Sequence, residues 1–97
     1  MRPIALADLE VAVRALLAVP ETARTETATA LLRAAEMADE YRAESGEVHP
    51  IFGNGTLMSA ALHYKLAPRP AAYCAKEIAT FTILLNAIAA RGNNHDN

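Results

Sequence analysis

The chain has 97 residues, of which hydrophobic types make up 53% and aromatic types 5%, with no tryptophan. Its 9 basic and 11 acidic residues leave a formal charge of −2, which gives no electrostatic footprint for nucleic acid. The single cysteine excludes an internal disulfide and fits a reducing compartment, so we expect a cytoplasmic protein. We expect no signal peptide, because the first residues soon reach Asp8 and Glu10, and no membrane span, because the uncharged apolar stretch 78–90 is too short to cross a bilayer.

A chain of this length folds as one domain and buries roughly two-thirds of the surface of its unfolded state. Alanine supplies much of the apolar content, and each alanine buries little area. The core is therefore expected to be thin, with backbones in close approach along alanine-lined faces, and a partner surface would help to stabilise it.

The first half of the chain predicts two amphipathic helices. Helix one spans about 6–19 and ends at Pro20, and its predicted buried stripe is Leu6, Leu9, Val13, Leu16 and Leu17. Helix two opens from the turn at Pro20 and extends to about Ser45, with Gly46 as the left-handed residue past its end. Its predicted core-facing row is Ala28, Leu31, Leu32, Ala35 and Ala38.

The segment 46–56 has the least helical chemistry, with a His-Pro pair, the exposed-looking pair Ile51-Phe52 and two glycines. Thr56 is a good N-cap for a short third helix over about 57–66, which the prolines at 68 and 70 terminate.

Helix four, over about 70–91, is the longest apolar element. Its apolar side chains alternate spacings of four and three, as in a heptad seam, and Ile83 lies on a second side of the helix. We therefore predict an oligomer interface formed by Cys74, Ile78, Phe81, Ile83, Leu85 and Ile88. Gly92 is expected to cap the helix, and 93–97 to be a disordered polar tail.

These elements predict an all-α fold: a compact, four-helix, up-and-down, bundle-like single domain over 1–92, with a short third helix. Charge is uneven along it, because Glu21 to Glu47 holds seven acids and three arginines, whereas His63 to Arg91 holds four bases and one acid, Glu77. We interpret this asymmetry as complementary packing of two segments, with an acidic docking face as the alternative.

Candidate catalytic and metal-binding groups are sparse. His49, His63 and His95 are scattered and Cys74 stands alone, so we expect no metal site and no cofactor. We expect Cys74 to be buried packing on the seam rather than a nucleophile. The carboxylates of helix two are interpreted as a solvated face, so the sequence points away from an enzyme.

One segment is a candidate site. The turn before helix three would offer backbone N–H groups to an anion, although a tight turn with an N-cap explains the same residues. We also hypothesise that Glu77 receives hydrogen bonds from this segment or from Arg42, unless it is simply an exposed acid near the start of helix four. The candidate residues are His49, Pro50, Ile51, Phe52, Gly53, Asn54, Gly55, Thr56 and Glu77.

The stretch His49-Pro50-Ile51-Phe52-Gly53-Asn54-Gly55-Thr56-Leu57-Met58 resembles the signature of an uncharacterised family of short bacterial helical proteins. In that signature a His-Pro pair, an aromatic residue and a Gly-x-Gly-Ser/Thr-Leu-Met turn recur. The resemblance covers about ten residues and implies no activity.

Three functional interpretations follow. The first is a protein-interaction module that binds another protein or itself, as a homodimer through helix four. The alternative is a small-molecule or anion-binding domain, enzymatic or not, with His49 as its acid-base group. The third, DNA binding through helix three and the 65–69 segment, is disfavoured by the negative charge, so we expect no nucleic-acid partner.

Overall fold

Four α-helices make up the fold of the described part of the chain. The structure is a computed structural model that describes residues 1–95, and the side chains of residues 1–91. The helices are α1 (Leu6–Leu17), α2 (Arg24–Ser45), α3 (Leu57–Ala61) and α4 (Ala75–His95), and a 3-10 turn at Glu21–Ala23 precedes α2. Both α3 and α4 pack on α1 and on α2. The predicted all-α class, with four helices and a short third one, is confirmed.

The core is built from leucines set among alanines. The predicted inner row of α2 is confirmed, because all five of its residues are buried. The largest fully buried side chains are Leu16, Leu31, Leu32, Leu57, Leu84, Val13 and Thr80. Alanines from α1, α2 and α3 fill the space between them, so the helices approach closely, as an alanine-rich composition requires.

The junction between α1 and α2 is closed by a buried arginine. The Nε–H of Arg24 donates to the carbonyl oxygen of Leu16 at 3.0 Å, which satisfies a backbone acceptor at the end of α1. At the other end of α2, Gly46 adopts φ 74° and its N–H donates to Arg42, as predicted for the residue after the helix.

Three predicted helix boundaries are wrong. One contact between distant parts of the chain explains two of them. The N–H of Ala67 donates to the carbonyl oxygen of Arg14, whose Nε–H donates back to the carbonyl of Ala67 at 2.8 Å. This exchange holds the chain between α3 and α4 against α1, so α3 ends at Ala61 and α4 starts only at Ala75. The sequence gives no local sign of so distant a contact.

The third correction concerns the end of α4. The helix runs through Gly92 to His95, so Gly92 does not cap it and the predicted disordered tail, 93–97, begins inside the helix. The remainder of that predicted tail, residues 96 and 97, lies outside the described residues. At the opposite end of the chain, Leu6 is exposed and does not belong to the buried stripe of α1.

Candidate functional site

The 46–56 loop is organised around the imidazole of His49. Its Nδ1 accepts hydrogen bonds from the N–H groups of Ile51 and Phe52, both at 3.0 Å. The ring stacks on Phe52 with centroids 4.9 Å apart, and its edge meets the ring of Tyr41 on α2 at 5.0 Å. The backbones of His49 and Gly53 also exchange hydrogen bonds. His49 therefore acts as the structural centre of a tight loop, with Nδ1 unprotonated in this arrangement.

A second polar cluster caps α3. The Thr56 hydroxyl accepts from the N–H of Ser59 at 3.1 Å, which confirms Thr56 as the N-cap. The side-chain oxygen of Asn54 accepts from the N–H and the hydroxyl of Thr56 and from the hydroxyl of Ser59. These bonds fix the turn that leads from the loop into α3.

Asp8 is the residue that sequence reasoning missed. Its side chain is 6% exposed, and its two oxygens accept from different elements: Oδ2 from the N–H of Ala5 at 2.7 Å, and Oδ1 from the N–H of Met58 at 3.0 Å. One carboxylate thus caps α1 and α3 together. An acid in the first turn of α1 was the available signal, but it indicates a local cap and not a contact 50 residues away.

These contacts count against an anion site at the turn before α3. The N–H groups of Met58 and Ser59 already donate to Asp8 and Thr56, and the carboxylate of Asp8 places negative charge where an anion would sit. An anion would have to displace a buried carboxylate that accepts hydrogen bonds from two helices. The hydrogen bonds around Thr56 and Asp8 therefore stabilise the fold instead of binding a ligand.

The loop also approaches α2 closely. Gly55 has φ 93°, and a Cβ added there would lie 2.9 Å from the Cα of Asp39, which is backbone of α2. The carbonyl oxygen of Gly55 accepts from the N–H of Arg2 at 3.1 Å, so the first residues of the chain bind the same turn. Phe52 packs against a small core cluster formed by Ala34, Ala35 and Ala60, so the expectation that Phe52 is exposed is wrong.

Beside this rigid loop lies a surface that we call the α2–loop face. It consists of the outward side of the second half of α2 and the residues around His49, and its members are Met37, Glu40, Tyr41, Glu44, Glu47, Val48, His49 and Ile51. Its apolar members Met37, Tyr41, Val48 and Ile51 are exposed. A shallow depression on it is lined by Met37, Glu40, Tyr41, Glu44 and His49. The sequence singled out Ile51 here, but not the side of α2 that faces the same way.

Glu77 does not join the loop. Its Oε1 accepts from the N–H of Cys74 at 3.1 Å, so the carboxylate caps the start of its own helix. Among the side chains that the structure describes, no hydrogen bond joins Glu77 to the 49–56 segment or to Arg42, and the hypothesis of such a bond is wrong. The alternative, an exposed acid near the start of α4, is confirmed for the position of Glu77 in the first turn, whereas its side chain is half-buried.

The predicted interface on α4 divides into two sets. Among the described side chains of this helix, Thr80 and Leu84 are buried, and Phe81, Ile83 and Ile88 pack against the core around them. Those three predicted interface residues therefore stabilise the single copy. Cys74, Ile78 and Leu85 point the other way and are exposed, so the prediction that Cys74 is buried is wrong.

The exposed side of α4 carries what we call the α4 outer row: Ala75, Ile78, Thr82, Leu85 and Ala89. All five are exposed and their spacing alternates three and four, which is the period of a helix–helix seam. Ile78 and Leu85 remain 55% and 46% exposed. The Thr82 hydroxyl donates to the carbonyl of Ile78 at 2.9 Å, so its hydrogen is already used within the helix. The helix has no charged residue between Glu77 and Arg91.

A groove between α2 and α4 runs alongside this row. It is lined by small or short side chains: Thr25, Thr29, Ile83, Asn86, Ala87 and Ala90. Near it, Arg91 on α4 makes a two-pronged ion pair with Glu36 on α2, and this hydrogen bonding raises the pKa of Arg91. This pair is the one place where the acidic and basic segments of the described chain meet as an ion pair, so complementary packing of the two segments is limited to it.

The described residues lack two further features that a functional site would use. No three histidine, cysteine or carboxylate side chains lie close enough together to hold a metal ion. None of the described helices combines the length and the apolar character that crossing a bilayer demands.

Comparison with known proteins identifies the family. The family described as Domain of unknown function (DUF7742) matches residues 2–88, which is most of the chain, so the chain belongs to this family. No curated protein and no solved structure matches the chain.

Proposed function

We propose that this member of the DUF7742 family is a protein-interaction module that forms a homodimer through the α4 outer row. The observation that carries the proposal is an exposed heptad-spaced row, with two large aliphatic side chains and no charge, on a helix whose other side is packed in the core. Exposed apolar rows of this kind mark association surfaces.

The order of side chains along the row suits a second copy of the same chain. Reading outward from Thr82 in either direction, the row meets one large aliphatic residue and then one alanine. In an antiparallel pair with its two-fold axis at Thr82, Ile78 of one copy therefore lies near Leu85 of the other. The antiparallel arrangement also opposes the two helix dipoles. The absence of charge between Glu77 and Arg91 removes like-charge repulsion across the axis.

The groove between α2 and α4 supports close approach. Its small side chains leave room for a neighbouring helix beside the row, and alanine and threonine within the row allow the two backbones to come near each other. Because the Thr82 hydroxyl already bonds its own helix, burying it loses little hydrogen bonding to water.

The exposed areas set the strength of the dimer. Burying the exposed halves of Ile78 and Leu85 in both copies stabilises the pair by roughly 5 kcal/mol, at about 1.5–3 kcal/mol for a whole aliphatic side chain. The alanines add to this, while the loss of rotational and translational freedom opposes it. Since roughly 5 kcal/mol corresponds to a dissociation constant of only about 0.2 mM, we expect a weak dimer that dissociates in the high-micromolar range.

Sedimentation equilibrium of the full chain tests the proposal. The wild type is expected to form a dimer whose fraction grows as the concentration is raised through the high-micromolar range, and Leu85→Glu is expected to stay monomeric. In a dimer of the Leu85→Glu variant, two apolar contacts are lost and two charges are placed on the seam. The association free energy therefore weakens by about 2 kcal/mol or more, which is a loss of at least roughly 30-fold in affinity. A wild type that stays monomeric across this range would refute the dimer.

Leu62→Glu is the matched control. Leu62 is a leucine of similar exposure, 58%, that lies outside the α4 outer row, so the same substitution there changes net charge equally. We expect the Leu62→Glu variant to dimerise like the wild type. Equal loss of the dimer in both variants would show that charge, not the row, controls association.

Two finer expectations belong to this proposal. A cytoplasmic location is supported by Cys74, which is exposed and is the only cysteine, so a reducing compartment protects it. A bacterial source and the ten-residue signature rest on the resemblance of the 49–58 stretch.

A further inference from the structure

The α2–loop face presents apolar side chains that no part of the described chain covers. Met37 and Tyr41 belong to α2, whereas Val48 and Ile51 flank His49 in the loop, and all four are exposed. The ring contact between Tyr41 and His49 joins the loop to the helix at this point. The depression lined by Met37, Tyr41 and His49 thus spans both elements, with Val48 and Ile51 within two residues of His49 along the chain.

Hydrogen bonds and packing within the chain fix the conformation of this surface. His49 binds the N–H groups of Ile51 and Phe52, Phe52 is seated against the core, and Gly55 lies against the backbone of α2. A preformed surface loses little conformational entropy on binding, so even a small apolar contact yields measurable affinity.

The acids on this surface identify the chemistry of the partner. Glu40, Glu44 and Glu47 are exposed, and among the side chains that the structure describes none of them forms an ion pair. Arg33 is the one base on the outward row of α2, since Arg42 continues the inner row. The net charge of the face is therefore negative, so the same face of a second copy would be repelled here and a basic segment attracted.

We propose that the α2–loop face binds a basic amphipathic segment of another protein. An apolar side chain of that segment packs in the depression against Met37, Tyr41 and His49, and its Arg or Lys side chains face Glu40 and Glu44. This inference goes beyond self-association, because it uses α2 and the loop rather than α4.

Fluorescence anisotropy with the full chain tests this inference. The probe is a labelled helical peptide built from repeated Leu-Leu-Arg-Arg units, compared with one in which Glu replaces Arg and one in which Ser replaces Leu. We expect the Leu/Arg peptide to bind, with an affinity that falls as salt is raised, and the other two to bind at least about 10-fold more weakly.

Paired variants locate the binding. Ile51→Ser and Glu44→Gln, both at exposed positions, are each expected to weaken the Leu/Arg peptide about 3- to 10-fold. The controls are Leu62→Ser, at a leucine about as exposed as Ile51 and outside both proposed surfaces, and Glu26→Gln, an exposed acid at the start of α2, and both are expected to bind like the wild type. Circular dichroism of each variant confirms that its helices are intact.

Several results would overturn the proposal. The first is absence of binding by the Leu/Arg peptide, and the second is binding that Ile51→Ser and Glu44→Gln leave unchanged. A third is equal loss of binding in Leu62→Ser, which would show that the peptide does not bind specifically at the α2–loop face. A fourth is binding confined to a peptide of this chain's own basic residues 62–76, which would make the partner a second copy. The sedimentation experiment on Leu85→Glu is read separately, so failure of one proposal leaves the other testable.

Discussion

Removing the carboxylate of Asp8 is expected to destabilise the whole fold. This buried side chain accepts one N–H from Ala5 and one from Met58, so it joins the starts of α1 and α3. A hydrogen bond to a charged group contributes about 1.5–3 kcal/mol. Asp8→Ala loses both bonds, and we expect a loss of about 3 kcal/mol in the free energy of unfolding. Asp8→Asn keeps one good acceptor, so we expect about half that loss.

Urea denaturation followed by circular dichroism measures both variants. With a slope of about 2 kcal/mol per molar urea for a domain of this size, the Asp8→Ala midpoint should fall by roughly 1.5 M at unchanged slope. Hydrogen exchange at the Met58 amide should accelerate in parallel. Glu10→Ala is the control, since Glu10 is a carboxylate on the same helix without a bond to α3. An Asp8→Ala protein within about 0.5 kcal/mol of the wild type would refute the double-cap reasoning.

Three further predictions concern the loop and the ion pair. His49→Ala and His49→Phe should each lower the free energy of unfolding by about 1–2 kcal/mol and speed hydrogen exchange at the Ile51 and Phe52 amides. His49→Asn keeps an acceptor, so it should lower the free energy of unfolding by about half as much. Equal effects of the three substitutions would contradict the acceptor role of His49. Gly55→Ala should lower the free energy of unfolding by about 2–4 kcal/mol in thermal unfolding, because the new Cβ would clash with the backbone of α2. Gly46→Ala should lower it by only about 1 kcal/mol, because nothing lies within 4 Å of a Cβ added there. Similar losses in the two variants would refute the close approach of Gly55 to α2. A double-mutant cycle between Glu36→Gln and Arg91→Gln should give a coupling of about 1 kcal/mol, and zero coupling would show that the pair adds no stability.

Local signals in the sequence predicted most of the fold. The inner row of α2, Gly46 after its end and Thr56 before α3 are each encoded by residue type and spacing over a few positions. The boundaries of α3 and α4 were not predictable in this way, because the exchange between Arg14 and Ala67 that sets them spans 53 residues.

The orientation of α4 illustrates a second limit. Two rows at three-and-four spacing share Ile78 and Leu85, and the sequence favours the row that also contains Phe81 and Ile88, because those residues are larger than Thr82 and Ala89. The structure instead directs Phe81 and Ile88 to the core and buries Thr80, a polar residue whose hydroxyl is satisfied by the carbonyl of Lys76. A threonine that bonds its own helix can lie in a core, and periodicity does not reveal this.

The candidate site was predicted in part. The sequence marked the 46–56 loop by its departure from helical chemistry, and the loop is indeed a distinct, tightly bonded element. The hydrogen bonds inside the loop were not predictable, because the roles of His49 and Asn54 as acceptors depend on the geometry of the backbone. The contribution of Met37 and Tyr41 to the α2–loop face was not predictable either, because their exposure depends on how α2 packs.

Disulfide trapping at Thr82 tests the central claim most directly, since the proposed two-fold axis passes this residue. In a Cys74→Ser background, Thr82→Cys should give a disulfide-linked dimer on mild oxidation, seen on a non-reducing gel. Thr22→Cys in the same background, at an exposed position outside the α4 outer row, should give no disulfide-linked dimer on this gel. The wild type should also run as the unlinked chain, because an antiparallel pair places its two Cys74 residues at opposite ends. Failure of Thr82→Cys to link beyond the level of Thr22→Cys would contradict the proposal that α4 pairs with a second copy.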